Sequence, residues 1–210
     1  VCWGIILLSM NVLITEIIGS QAFEIVIQRV RDILETEIRY QIKAQCLEDE
    51  VSVFQDRGTP PHQEEEVVIS VSLDNSSFKK LNQRAVQSET KFNVDVYANG
   101  QANSVKSGYL VSTQKAYKYL GMCRYILSST RYNLLAFPSG LVSNVNVDSL
   151  NMYEVGDNQD GSHIKMGRLQ LSARLCEDQE LWTGVLLGSH LTRINLEDTN
   201  IGHQLIIENE

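Results

Sequence analysis

Phe92-Asn93-Val94-Asp95-Val96-Tyr97 is the stretch that decides the fold. Its strict alternation sends Phe92, Val94 and Val96 one way and Asn93, Asp95 and Tyr97 the other, the pattern of a strand with one covered and one polar face. Upstream, Val67-Val68-Ile69-Ser70-Val71-Ser72-Leu73 is β-branched and partly alternating, and only polar residues separate it from Phe92. With no helical pattern between these strands, their connection reads as antiparallel. The fold class expected is α+β: a mainly antiparallel β-sheet with two amphipathic helices packed on one face.

The helices lie on either side of this pair. Ser20 is placed to cap the first, and Phe23, Val26, Ile27, Val30, Ile33, Leu34, Ile38 and Ile42 recur at three- and four-residue steps, which predicts a helix over Ala22 to Gln45. Its outer face carries Glu24, Arg31, Glu35 and Arg39, with Glu35 and Arg39 at i, i+4. After Ala98-Asn99-Gly100 closes the strand, Ala116, Leu120, Cys123 and Leu127 form the stripe of a second helix, from Thr113 to Ser129. Tyr117, Tyr119 and Tyr125 flank that stripe; without Arg/Lys density they read as core or subunit packing rather than base stacking.

Further out, Val51 and Val53 begin a short strand broken at Gly58-Thr59-Pro60-Pro61, where a hairpin-like loop is expected. Leu141 to Val155 and Ile164 to Cys176 predict two long strands, the second alternating through Leu169, Leu171, Ala173 and Leu175. Between them, Asp157-Asn158-Gln159-Asp160-Gly161-Ser162-His163 resembles a calcium loop in composition. An EF-hand needs a glutamate six residues after its glycine, and that position is Gly167, so a plain turn is the better reading. Past Leu181, Val185-Leu186-Leu187, Leu191 to Leu196 and Leu205 to Ile207 read as edge strands or an arm. The expected organisation is an apolar segment over 1–19, an α+β domain over 20–180 and an extension over 181–210.

A net charge of -8, with no basic run beyond Lys79-Lys80, disfavours tight nucleic-acid binding, because few phosphates could be neutralised. Cys2, Cys46, Cys123 and Cys176 form no C-x-x-C pair and are expected to be reduced and unliganded in a reducing cytosol. Val1 to Ile18 is apolar, but the first basic residue is Arg29, and Asn11 and Glu16 interrupt the run, so neither a secretory signal nor a membrane span is favoured. With Met10 the first methionine, the segment reads as an arm or as an alternative start. His62, His163, His190 and His203 make no metal-binding spacing, and no phosphate loop, dinucleotide fingerprint or nucleophile elbow occurs. No catalytic, cofactor-binding or metal-binding residue is therefore nominated, and no enzyme activity is expected.

The order of helix, strands, a strand ending Val94-Asp95-Val96-Tyr97, a helix carrying Lys115-Ala116-Tyr117, then two long strands with the step Gly167-Arg168-Leu169, resembles the tail-terminator and minor tail proteins of tailed bacteriophages. The resemblance covers roughly Ala22 to Cys176. It departs in the apolar opening, the Pro60-Pro61 loop and the extension past Leu181. It implies a structural virion protein, assembled in the host cytoplasm into a ring, commonly a hexamer, at the tail-tube end or head-tail neck. Its partners would be copies of itself, tube and neck proteins, and DNA that passes without specific binding; no membrane is involved. Subunit contacts are expected from Val1 to Ile18, Arg57 to Glu66 and Leu181 to Glu210, which periodicity does not assign to a core. The alternatives are a small-molecule-binding or enzymatic α+β domain of unknown substrate, and an exported or anchored protein that uses the first 18 residues.

Overall fold

The computed structural model describes residues 19–57, 62, 64–81, 85–102, 105–137, 140–157, 162–178, 189–196 and 199–208. The chain forms two compact units, one ending at Glu177 and one running from Asp178 to Glu210. The opening apolar segment 1–18 lies outside the described residues.

In the larger unit the order is α1 (Ala22–Ala44), β1 (Val51–Gln55), β2 (Val67–Lys80), β3 (Ala85–Gln101), α2 (Gly108–Leu127), a short 3-10 turn, β4 (Val142–Asp157) and β5 (Ser162–Asp178). Five strands form one sheet in the order β1-β2-β3-β5-β4. The pairs β2/β3 and β4/β5 are antiparallel, and the sheet is mostly so. β1 departs from the sequence expectation: it runs parallel to β2, with Val51 opposite Val67 and Gln55 opposite Val71. Parallel pairing excludes the hairpin-like connection expected between β1 and β2; Gly58 to Pro61 themselves lie outside the described residues. Composition marks the break but not where the chain goes afterwards.

Alternation sets the two faces of the sheet. Val67, Ile69 and Val71 stand opposite Ala98, Val96 and Val94, and all six are buried. With Leu169, Leu171, Ala173 and Leu175 of β5 and the apolar stripes of both helices they make one core, apart from Ala98 and Ala116. Val26, Ile27, Val30, Ile33, Leu34 and Ile38 supply the α1 stripe, as the periodicity requires. Ala116, Leu120, Cys123 and Leu127 supply that of α2.

The helix ends differ from the sequence reading. Gln21 rather than Ser20 is the residue before α1, and the Glu24 carboxylate accepts from the Gln21 amide at 3.3 Å. At the other end Cys46 takes the left-handed conformation (φ 50°), and the amides of Leu47 and Cys46 donate to Ile42 and Lys43 carbonyls, closing the helix. α2 begins at Gly108, five residues before the expected Thr113, with Ser107 Oγ accepting from the Leu110 amide at 3.4 Å. Its first turn packs small residues. A Cβ on Gly100 would lie 2.3 Å from both the Gly108 carbonyl oxygen and the Ser112 amide nitrogen, so glycine is what lets β3 pass under the helix. Similarly, a Cβ on Gly167 would meet Leu120 Cδ2 at 2.6 Å.

β2 and β3 extend well beyond the expected Val67 to Leu73 and Phe92 to Tyr97. After an irregularity between Leu73 and Asn75, the mainly polar stretch Asn75 to Lys80, which includes Phe78, pairs with Lys91 to Val86. The strand-like hydrophobic signal stops there, but the ladder continues because both chains are already in register. The smaller unit contains β6 (Ser189–Leu196) and β7 (Thr199–Glu208), an antiparallel pair with Leu191 opposite Ile206.

Candidate interaction face

The face of the sheet turned away from the helices is not a plain solvated surface. Asn93 and Asp95, the polar partners in the deciding alternation, are buried, as is Ser70 opposite Asp95. Arg168, which alternation places away from Gly167 and Leu169, reaches across from β5. Its Nε and Nη2 donate to the two Asp95 carboxylate oxygens at 2.7 and 2.8 Å. This fork holds the guanidinium strongly protonated, with the Asp95 hydrogen bond the main cause. Tyr153 of β4 lies beneath Arg168, 5.9 Å from ring centroid to guanidinium. Burial pushes the Tyr97 phenol up, and Asp95 adds to this.

Asn93 Nδ2 donates to Asp74 at 3.0 Å, and Gln170 Nε2 donates to the other Asp74 oxygen at 3.3 Å. Asn93 Oδ1 is buried without a hydrogen-bond partner. At the β1 end, Arg57 makes a second fork, to Glu65 at 2.7 Å through each nitrogen, and stacks over Phe54 at 4.9 Å. The Arg57 hydrogen bond holds the Glu65 carboxyl below its ordinary range. The Arg57 amide also donates to Ser70 Oγ at 3.1 Å, so the described ends of the 57–66 segment are tied back onto β2.

A second polar cluster sits beside α2. Tyr119, buried on the helix, donates to Asp49 at 2.9 Å, and Lys115 bridges Asp49 at 2.9 Å and Glu66 at 3.4 Å. Burial raises the Asp49 carboxyl, but hydrogen bonds from Lys115 and Tyr119 outweigh it and leave the group below its ordinary value. Burial lowers the Lys115 amine, but Asp49 outweighs that, so Lys115 stays protonated and is unsuited to nucleophilic chemistry. Lys106, Gln114, Lys115 and Lys118 line an open cleft of about 420 Å³ next to this cluster. Arg124, Ser128, Thr130 and Asn146 contribute to another, of about 360 Å³.

No family model and no curated protein matches this chain. Among the described residues no group of three or more His, Cys, Asp and Glu side chains is placed to hold a metal ion. Asp157 and His163, the ends of the segment weighed as a calcium loop, are cross-strand partners at the close of the β4/β5 hairpin, and Asn158 to Gly161 lie outside the described residues. Cys123 is buried in the core, which pushes its thiol up to about 12, while Cys46 is exposed and Cys176 intermediate. Among the described residues no helix is long and apolar enough to cross a membrane.

Sequence reading nominated no site residue, and it singled out neither polar cluster. Alternation showed that Asp95 faces away from the helices, but nothing in the spacing pairs it with Arg168, 73 residues on. Of the flanking tyrosines, Tyr119 is core and Tyr117 and Tyr125 are exposed.

Proposed function

We propose that this chain is a structural subunit of a tailed-bacteriophage virion, forming a ring at the tail-tube end or the head-tail neck. In that role it ends the tube and joins it to the head while DNA passes through. The observation that carries the reading is the separate compact unit from Asp178 to Glu210, whose strands β6 and β7 form a two-stranded hairpin. A lone hairpin is marginally stable in water, so it gains most from a partner surface, as an assembly arm does on a neighbouring subunit. The α+β framework with both helices in one core agrees with the resemblance drawn from the sequence. The net charge of -8 suits a channel in which DNA must slide without being held.

The test is the mass of the purified full-length chain by sedimentation, with negative-stain imaging. Annular particles of one defined stoichiometry are the expected result. A chain that stays monomeric at every concentration, and forms no rings when tail tubes are added, overturns the proposal.

A further inference from the structure

α2 carries large side chains on the side turned away from the core as well as on the side turned into it. Leu110, Tyr117, Lys118, Gly121, Arg124 and Tyr125 share that outer side and are all exposed, Tyr117 by 58% and Tyr125 by 81%. The stripe spans about 22 Å of helix. Near its middle is Gly121, between the two tyrosines. A glycine inside a helix costs about 1 kcal/mol relative to alanine. At Gly100 and Gly167 the packing of this chain requires one, because a Cβ would collide with neighbouring atoms. At Gly121 a Cβ would meet nothing within 4 Å among the described residues, so no such contact asks for glycine there. What it leaves is a notch in which another backbone can come close.

Charge on this side is unbalanced. α2 contains no aspartate or glutamate. Lys118 and Arg124, three residues to either side of Gly121 and so on opposite flanks of it, pair with no carboxylate among the described residues. Asp49, which lies near Lys118, is already taken by Lys115 and Tyr119. α1 is the contrast: Arg31 and Arg39 on its outer face are matched by Asp32 and Glu35, as suits a helix surface in water. Exposed tyrosines and an arginine beside a notch have the composition of an interface, in which such residues act as anchors. The missing negative charge has to come from the other partner.

We infer that the outer side of α2 receives an acidic helix of a different protein, which crosses at Gly121 with a small residue over the notch and carboxylates to either side of it, toward Lys118 and Arg124. A helix is the occupant that fits, because the stripe has helical spacing and the notch lets two helix axes approach closely. A second copy of α2 does not fit: two copies crossing at Gly121 would gather four cations around one point, with no carboxylate on either helix. Nucleic acid fits poorly, since two cations neutralise too few phosphates to hold it at physiological salt. The inference is independent of the ring reading, and either can fail without the other.

Fluorescence anisotropy of a labelled synthetic helical peptide, titrated with the full chain, tests it. The peptide has alanine at the middle of one face, leucines a turn to either side and glutamates on both flanks. A second peptide has lysine in place of every glutamate, and a DNA duplex is the nucleic-acid probe. The wild type is expected to bind the acidic peptide and neither of the others. Gly121→Leu fills the notch with a better helix former, so it is expected to weaken acidic-peptide binding about tenfold or more while melting no lower than the wild type. K118E/R124E is expected to exchange the acidic peptide for the lysine peptide. Acidic-peptide binding that Gly121→Leu leaves unchanged overturns the inference, as does no binding of that peptide up to about 1 mM. A lower melt for Gly121→Leu would place part of this chain in the notch and overturns it too. So does binding of the duplex, or self-association of the wild type, that K118E/R124E abolishes, since the occupant would then be nucleic acid or a second copy.

Discussion

At the scale of single residues, the polar network on the helix-free face depends on matched geometry. Asp95 is almost fully buried, and its two oxygens are both taken by the Arg168 fork. Lysine at 168 supplies a point charge that cannot bond both oxygens in plane, so Arg168→Lys is expected to cost roughly 1–2 kcal/mol and Arg168→Met roughly 2–3 kcal/mol, because the latter leaves a buried carboxylate unpaired. Urea unfolding of the two variants checks the order. Asp49 and Glu65 have carboxyls held below their ordinary values in the folded chain. Their stabilising contribution is complete above the unfolded-state values, about pH 4, and is lost as the pH falls through the folded ones. The melting temperature is therefore expected to be level from about pH 8 to about pH 5 and to fall below that. Asp49→Asn should lower it at neutral pH, since the charge paired with Lys115 is lost and one of the two oxygens that accept from Lys115 and Tyr119 becomes a donor, and should shrink the acid-induced fall. An equal fall in wild type and variant would show that Asp49 does not carry the effect.

Among the elements, α2 is where local sequence and structure part. Hydrophobic periodicity finds the stripe Ala116, Leu120, Cys123 and Leu127, all buried, but it starts the helix too late because the first turn buries Gly108 and Ser112, which carry no hydrophobic signal. Those residues are small because β3 passes directly beneath them at Gly100. Gly100→Ala places a methyl carbon against backbone atoms that no side-chain rotation can move, so the start of α2 has to shift. A loss of at least about 2 kcal/mol is expected, with faster hydrogen exchange at the amides following Ser107. A neutral Gly100→Ala in a thermal melt would contradict this packing. α1 is the opposite case. Six of its seven buried residues are ones the three- and four-residue steps select, Ala22 being the seventh, while Phe23 and Ile42 of the pattern are partly buried.

For the whole molecule, the division at Glu177/Asp178 gives a direct experiment. Removing Leu181 to Glu210 leaves β1 to β5 and both helices in the remaining chain, together with the whole of their shared hydrophobic core. The truncated protein is expected to keep the circular dichroism of the larger unit and its cooperative melt but to lose ring assembly, as measured by sedimentation. Global unfolding of the truncated chain would instead place this segment in the core of the domain. Retained rings would mean that the hairpin is not an assembly arm.

The sequence by itself determined the α+β class, both helices, the long strands and which residues face the core, since these follow from periods of two and 3.6 that every residue in an element must obey. It could not determine that β1 lies parallel to β2, because a glycine- and proline-rich break specifies a change of direction and not the strand beside which the chain returns. Nor could it pair Asp95 with Arg168 or Asp49 with Lys115 and Tyr119, groups brought together only when distant elements pack. The continuation of β2 and β3 through a polar arm was likewise decided by tertiary structure. Once the register was set in the buried part, backbone hydrogen bonding carried the ladder on where side-chain hydrophobicity had ended.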